Sequence, residues 1–233
     1  MLPFTFTPEE WAAIRLSLWV ASFATLASLP LGIVAAYALA RGRFPGRSLL
    51  DGLIHLPLVL PPVVTGYLLL LAFGRRGPLG SALEACCGIV FSFRWTGAAL
   101  AAAVMAFPLM VRAIRLSLEA VDRGLEQAAG TLGASRVIVF FTITLPLALP
   151  GIVAGVILAF AKALGEFGAT ITFVSAIPGE TQTLPAAIYA YTQVPGGDAG
   201  AFRLSVVAAV IALVAVIASE VLTRRIGAAG RLT

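Results

Sequence analysis

Long apolar runs, separated by short segments that carry arginine, dominate the pattern of this chain. A helix that spans a bilayer needs about 20 mostly apolar residues. Five stretches meet that requirement, at about residues 12–40, 49–73, 95–117, 137–163 and 203–224, inside one membrane domain at residues 10–226. The pattern predicts an all-α membrane protein. At 1.5 Å per residue the first run exceeds the hydrocarbon thickness, so it is expected to tilt or protrude.

The fourth run is the ambiguous one. From Val137 to Ile177 the sequence stays mostly apolar for about 41 residues, interrupted by Lys162, Glu166 and several glycines. Two full spans there would place the C-terminus on the side opposite to the one its basic tail favours. One span ending near Lys162 is therefore expected, followed by a re-entrant or surface-lying segment through Ile177. Irregular backbone at membrane depth is tolerated only where protein or a water-filled cavity covers it, which puts this stretch near a translocation path. Residues 178–202 then read as an external loop with a short helix inside it.

Arginine placement orients the chain. Arg41, Arg43 and Arg47 follow the first span, Arg112, Arg115, Arg123 and Arg136 cluster after the third, and Arg224, Arg225 and Arg231 lie in the tail. Alternation puts all three groups on one side, expected to be cytoplasmic, with the N-terminus outside and the C-terminus inside. The opposite side sets Arg75, Arg76, Arg94 and Arg203 against Glu9, Glu10, Glu84, Glu180 and Asp198.

Composition supports the bilayer. The chain is 60% hydrophobic and 12% charged, whereas soluble domains run near half apolar and a quarter charged. A net charge of +5 could suggest nucleic acid, but no continuous basic stripe or recognition motif is present. Cys86 and Cys87 are adjacent, a spacing that makes no metal site and strains a disulfide. They are read as free thiols. The opening segment has no basic n-region, and the apolar run after it is too long for a cleaved signal, so it is expected to remain as an anchor.

The most informative segment is polar and lies between two spans: EAVDRGLEQAAGTLGASRVIVFFTITLPLALPGI. Asp122 suits a helix N-cap. Leu125, Ala128, Ala129 and Leu132 fall at i, i+3, i+4 and i+7, one apolar stripe. Arg123, Glu126 and Gln127 lie off it. Gly133 can adopt the left-handed conformation that ends a helix. Such a helix over about residues 122–133 either presses into a groove on another protein or folds back on its own bundle.

The spacing from Ala128-Ala129 through Gly133 and Ile143 to Leu145-Pro146 resembles the EAA loop of binding-protein-dependent ABC permeases. The resemblance departs at one place. Gln127 stands where an acidic residue usually precedes the two alanines, with Glu126 one position earlier. The stretches HLPLVLPPVVTGYLLLLAFGRRGPLG, AVMAFPLMVRAIRLSLEAVD and LGEFGATITFVSAIPGETQTLP look like molybdate permeases within that family, with sulfate permeases as near relatives. The resemblance implies a type I ABC importer transmembrane domain in a bacterial inner membrane. It implies a coupling helix whose contacts to an ATPase come from Leu125, Glu126, Gln127, Ala128, Ala129, Leu132 and Gly133. It also implies a homodimer, two ATPase subunits and a periplasmic oxyanion-binding protein. ATP and Mg would bind the partner ATPase, with no cofactor in this chain. The solute would be molybdate, with tungstate or sulfate as alternatives.

An independent consideration agrees. The chain has no phosphate-binding G-x-x-x-x-G-K-[ST] loop and no cluster of midplane carboxylates suited to ion coupling. A solute it concentrates must draw energy from another subunit. A secondary transporter or channel remains the other class. No metal cluster or paired catalytic carboxylate stands out, so an enzyme is not expected.

Some residues have both a structural and a transport reading. Pro57, Pro61 and Pro62 break the hydrogen-bond ladder of the second span, as a packed kink or as a gating bend. Lys162 and Glu166 share a face if the helix continues, as an interfacial pair or as a gate latch. Thr65, Thr170, Thr172 and Ser175 offer hydroxyl donors to a tetrahedral oxyanion, or bond their own backbone. His55 reads as structural.

Overall fold

The computed structural model describes residues 5–229, with side chains through residue 222. Arg231 and the side chains of Arg224 and Arg225, parts of the predicted basic tail, lie outside the described residues. All regular elements among those described are helices.

Helix α1 (Pro8–Arg41) begins with a capping box. Thr7 Oγ1 accepts from the Glu10 amide at 3.2 Å, the Glu10 carboxylate accepts from the Thr7 amide at 2.8 Å, and Pro8 occupies the first turn. These contacts satisfy otherwise orphaned amides and start the helix four residues before the predicted span. Its partner is α5 (Trp95–Ala120). Trp95 packs on Trp19 and Phe23 at one end of the bundle, and Arg41 donates to the Val121 carbonyl at the other, so the two helices run in the same direction. The first half of the buried face of α5 is mostly alanine, with Ala98, Ala99, Ala101, Ala102 and Ala106, and larger residues such as Met110, Ile114 and Leu118 follow. Small side chains let helix backbones approach where lipid supplies no hydrophobic drive.

Helix α8 (Leu145–Leu164) runs back along α5. The approach is close enough that a Cβ on Gly151 would lie 2.1 Å from Ser117 Cβ. Helix α11 (Asp198–Ala229) lines up with α1, joined at its start by a buried ion pair, Arg203 Nη2 to Glu10 Oε1 at 2.6 Å.

The second predicted span is not one helix. It divides into α2 (Arg47–Val59) and α3 (Pro62–Phe73), bent by 115°. Pro61 and Pro62 lack the amide hydrogens a continuous helix needs at the break. Asp51 on α2 meets Arg115 near the C-terminal end of α5, while Phe73 on α3 stacks on Phe91 just before α5 begins. The pair therefore leads from one end of the bundle to the other, as a broken crossing. With the four long apolar helices, it brings the crossings to five.

After Lys162 a re-entrant or surface-lying segment was expected, and the structure excludes the second. The chain breaks at Gly165–Phe167 and resumes as α9 (Gly168–Val174), in which Ala169, Phe173 and Val174 are fully buried. Helix α9 packs against α3 and the start of α5: Gly66 and Gly97 leave room for Ala169 and Val174. It does not lie on the surface.

The remaining helices are short. Helix α4 (Pro78–Cys87) was not anticipated from the apolar pattern, while α10 (Leu184–Thr192) is the short helix expected within residues 178–202. Helix α6 (Arg123–Thr131) lies at the arginine-rich end, followed by α7 (Arg136–Val139) and a π-turn (Phe140–Thr144) that leads into α8.

Candidate functional site

Helix α6 is built as the sequence suggests. Asp122 accepts from the Gly124 amide at 2.8 Å. Gly133 has φ +88°, the Gly133 amide donates to Gly130 O, and the Ala134 amide donates to Ala129 O, a Schellman termination. The helix is turned in an unexpected sense. Leu125 is 49% exposed and Leu132 88% exposed. Ala128 and Gln127 are exposed as well, and only Ala129 and Glu126 turn partly inward. Most of the apolar stripe therefore faces away from the bundle. Folding back would bury this stripe against the bundle, and that is not the arrangement found.

Glu126, by contrast, reaches into the bundle. Its Oε1 accepts from Arg41 Nη2 at 3.1 Å and from Thr144 Oγ1 at 2.8 Å. Arg41 ends α1, and Thr144, 1% exposed, ends the π-turn. Of the adjacent pair Glu126 and Gln127, Gln127 is the one that stays exposed. Sequence spacing gave no sign of this, because both partners are far along the chain.

A second cluster, missed in the sequence, lies between α2 and α5. Asp51 Oδ2 accepts from Arg115 Nη1 at 3.0 Å, Arg115 Nε donates to Glu119 at 2.8 Å, and His55 Nδ1 lies 3.1 Å from Asp51 Oδ1. With Arg112 these residues line a cavity of about 520 Å³. The i, i+4 spacings of Asp51–His55 and Arg115–Glu119 were the available signal.

The proposed pore residues separate. Pro61 caps α3 and Pro62 is its first residue. Lys162 Nζ pairs with Glu166 Oε2 at 2.9 Å across a helix end rather than along a continuing helix, because α8 ends at Leu164, close to the expected end of the span. Glu166, 2% exposed, also accepts from the Ala169 amide at 3.0 Å, so it caps α9. A carboxylate there complements the positive end of the helix dipole. Thr170 donates to the Phe167 carbonyl and Thr172 to the Gly168 carbonyl, both at 2.8 Å. Their hydroxyl hydrogens are engaged by local backbone. The Thr65 hydroxyl is buried without a partner.

Known proteins resemble the chain throughout. Residues 28–228 match the family described as binding-protein-dependent transport system inner membrane component. The chain is 62% identical over 218 residues to the molybdenum transport system permease protein ModB of Escherichia coli (strain K12), covering 94% of this chain and 95% of that protein. It is 59% identical over 216 residues to the ModB of Haemophilus influenzae, covering 93% and 94%. A crystal structure of a bacterial ABC transporter involved in the import of the acidic polysaccharide alginate has the same fold, with a TM-score of 0.74 at 19% identity, over 94% of this chain and 80% of that one. The chain belongs to the family of binding-protein-dependent transport system inner membrane components, and is a transporter component rather than an enzyme.

Proposed function

We propose that this chain is the membrane permease subunit of an ATP-driven molybdate importer, working as a homodimer with two ATPase subunits and a periplasmic oxyanion-binding protein. The observation that carries the coupling is the orientation of α6, which turns Leu125 and Leu132 away from its own bundle. An apolar helix face left uncovered in water at the bundle end calls for a protein groove. Molybdate as the solute rests on near-full-length similarity to proteins named for molybdenum transport.

In this reading the arginine-rich end faces the cytoplasm. Leu125, Ala128, Ala129 and Leu132 enter a groove of the ATPase, Gln127 supplies the outward polar contact, and Gly133 lets the chain leave the groove sharply. ATP and Mg bind the ATPase. A loaded binding protein docks on the outer end, near α4 and α10. Closure of the ATPases moves α6, and the bundle switches between inward- and outward-facing states. The broken crossing at Pro61–Pro62 and the break between Lys162 and Glu166 line the path, with the Thr65 hydroxyl available to an oxyanion. A weak site suffices, because conduction requires that the solute leave.

The test is co-purification from detergent after co-expression with the ATPase and binding protein. The wild type retains the ATPase, and Gly133→Glu, which places a bulky charge in a left-handed position, releases or uncouples it. A folded wild-type bundle that retains no ATPase contradicts the reading. Sulfate and tungstate as competitors of molybdate-stimulated hydrolysis identify the oxyanion.

A further inference from the structure

We propose that Glu126 is a positioning residue that carries displacement of α6 into two membrane helices at once. This rests on α6 being the ATPase-docking helix.

Among the described residues, the hydrogen bonds from α6 side chains to other elements converge on one atom, Glu126 Oε1. One donor is Arg41 Nη2, on the last residue of α1, and the other is Thr144 Oγ1, on the last residue of the π-turn. Arg41 Nη2 also donates to the Val121 carbonyl at 3.1 Å, so it holds the entry to α6 as well as its first turn. The two receiving elements touch each other: Tyr37, one turn before Arg41, packs edge-on against Phe140, the first residue of the π-turn, with ring centroids 5.0 Å apart. Glu126, Arg41 and the π-turn thus form a closed triangle linking α6, α1 and α8.

Three features distinguish this triangle from a simple staple. The apolar face of α6 is uncovered, so α6 moves with whatever it docks on, while Glu126 faces inward and ties it back. One corner is a π-turn, a local departure from the i→i−4 ladder that concentrates at functional sites and can shift register. Arg41 Nε is buried without a partner, an unused donor that a second arrangement of the triangle would satisfy. Removing the carboxylate also leaves a partly buried guanidinium without its counter-charge.

The experiment reconstitutes the complete importer in proteoliposomes with Glu126→Ala, Glu126→Gln and Thr144→Val, and reads ATPase co-purification, ATP hydrolysis and molybdate uptake per ATP. All three variants are expected to retain the ATPase. Uptake per ATP falls about tenfold in Glu126→Ala, the size expected for losing charge-assisted hydrogen bonds. It falls less in Glu126→Gln, which keeps an acceptor for both donors, and less in Thr144→Val, which loses one. If Glu126→Ala does not fold, Thr144→Val and Glu126→Gln decide. Unchanged uptake per ATP in the folded variants overturns the proposal. So does loss of the ATPase from Glu126→Ala with normal uptake per remaining complex, which would make Glu126 a docking residue. Failure of the wild type to bring down an ATPase is a separate result, and sinks the coupling-helix reading itself.

Discussion

Single side chains hold this bundle together at points the sequence marks poorly. Glu10 and Arg203 looked like loop charges on the same side, yet they form a buried pair that ties α1 to α11. Arg203→Met leaves the Glu10 carboxylate buried and uncompensated, and is expected to lower stability by about 3–5 kcal/mol. Glu10→Leu combined with Arg203→Met should recover most of the loss. Unfolding of the purified protein in detergent measures both, and an unaltered single variant would show that the pair contributes little. Gly66 makes a second point. A Cβ there would lie 2.5 Å from the Ala169 carbonyl oxygen, so Gly66→Ala must push α3 off α9, at a cost of about 1–3 kcal/mol in the same assay. Lys162 and Glu166 show where spacing was informative and where it failed. Four residues apart, they do pair, but the pair bridges the end of α8 and the start of α9. Gly165 was visible as a break, whereas the capping role of Glu166 depends on where the chain turns afterwards.

Elements were legible in proportion to how local their causes are. The cap at Asp122, the left-handed Gly133 and the length of α6 follow from neighbouring residues, and the sequence reading of that helix needed only small changes at its ends. The direction its apolar stripe faces depends on Arg41 and Thr144, which are distant in the chain, and could not be read. Hydropathy alone joins α2 and α3 into one span, because both halves are apolar. The two consecutive prolines were the sign that they are separate. Replacing Pro61 and Pro62 with alanine restores two backbone donors and should let the helix straighten. Spin labels at residues 49 and 71, with Cys86 and Cys87 changed to serine, should then separate toward the about 33 Å of an unbroken helix. An unchanged distance would assign the bend to tertiary packing. The π-turn had no sequence signature that would separate it from ordinary helix.

At the scale of the whole molecule, five crossings put the two described ends of the chain on opposite faces, and the proposed orientation, with the clustered arginines in the cytoplasm, is open to test. Cys86 and Cys87, the two cysteines of the chain, provide a direct check because both are exposed on α4. A membrane-impermeant maleimide should label them in intact spheroplasts. Labelling only after lysis would invert the orientation. Their Sγ atoms lie 2.9 Å apart, and the hydrogen bond that the Cys87 thiol makes with Cys86 raises its pKa. The Cys87 thiolate is thus scarcer than that of an ordinary thiol at the same pH. Labelling of Cys87 in Cys86→Ala, which removes that partner, should begin at lower pH than in the wild type. In the proposed importer the energy comes from the partner ATPase. The most direct test is uptake of radiolabelled molybdate into proteoliposomes, with this chain alone and with the ATPase, the binding protein and ATP added. Uptake only in the complete mixture, and abolished by Gly133→Glu, is the expected result. Concentrative uptake by the chain alone would contradict it, and would make the protein a self-sufficient transporter.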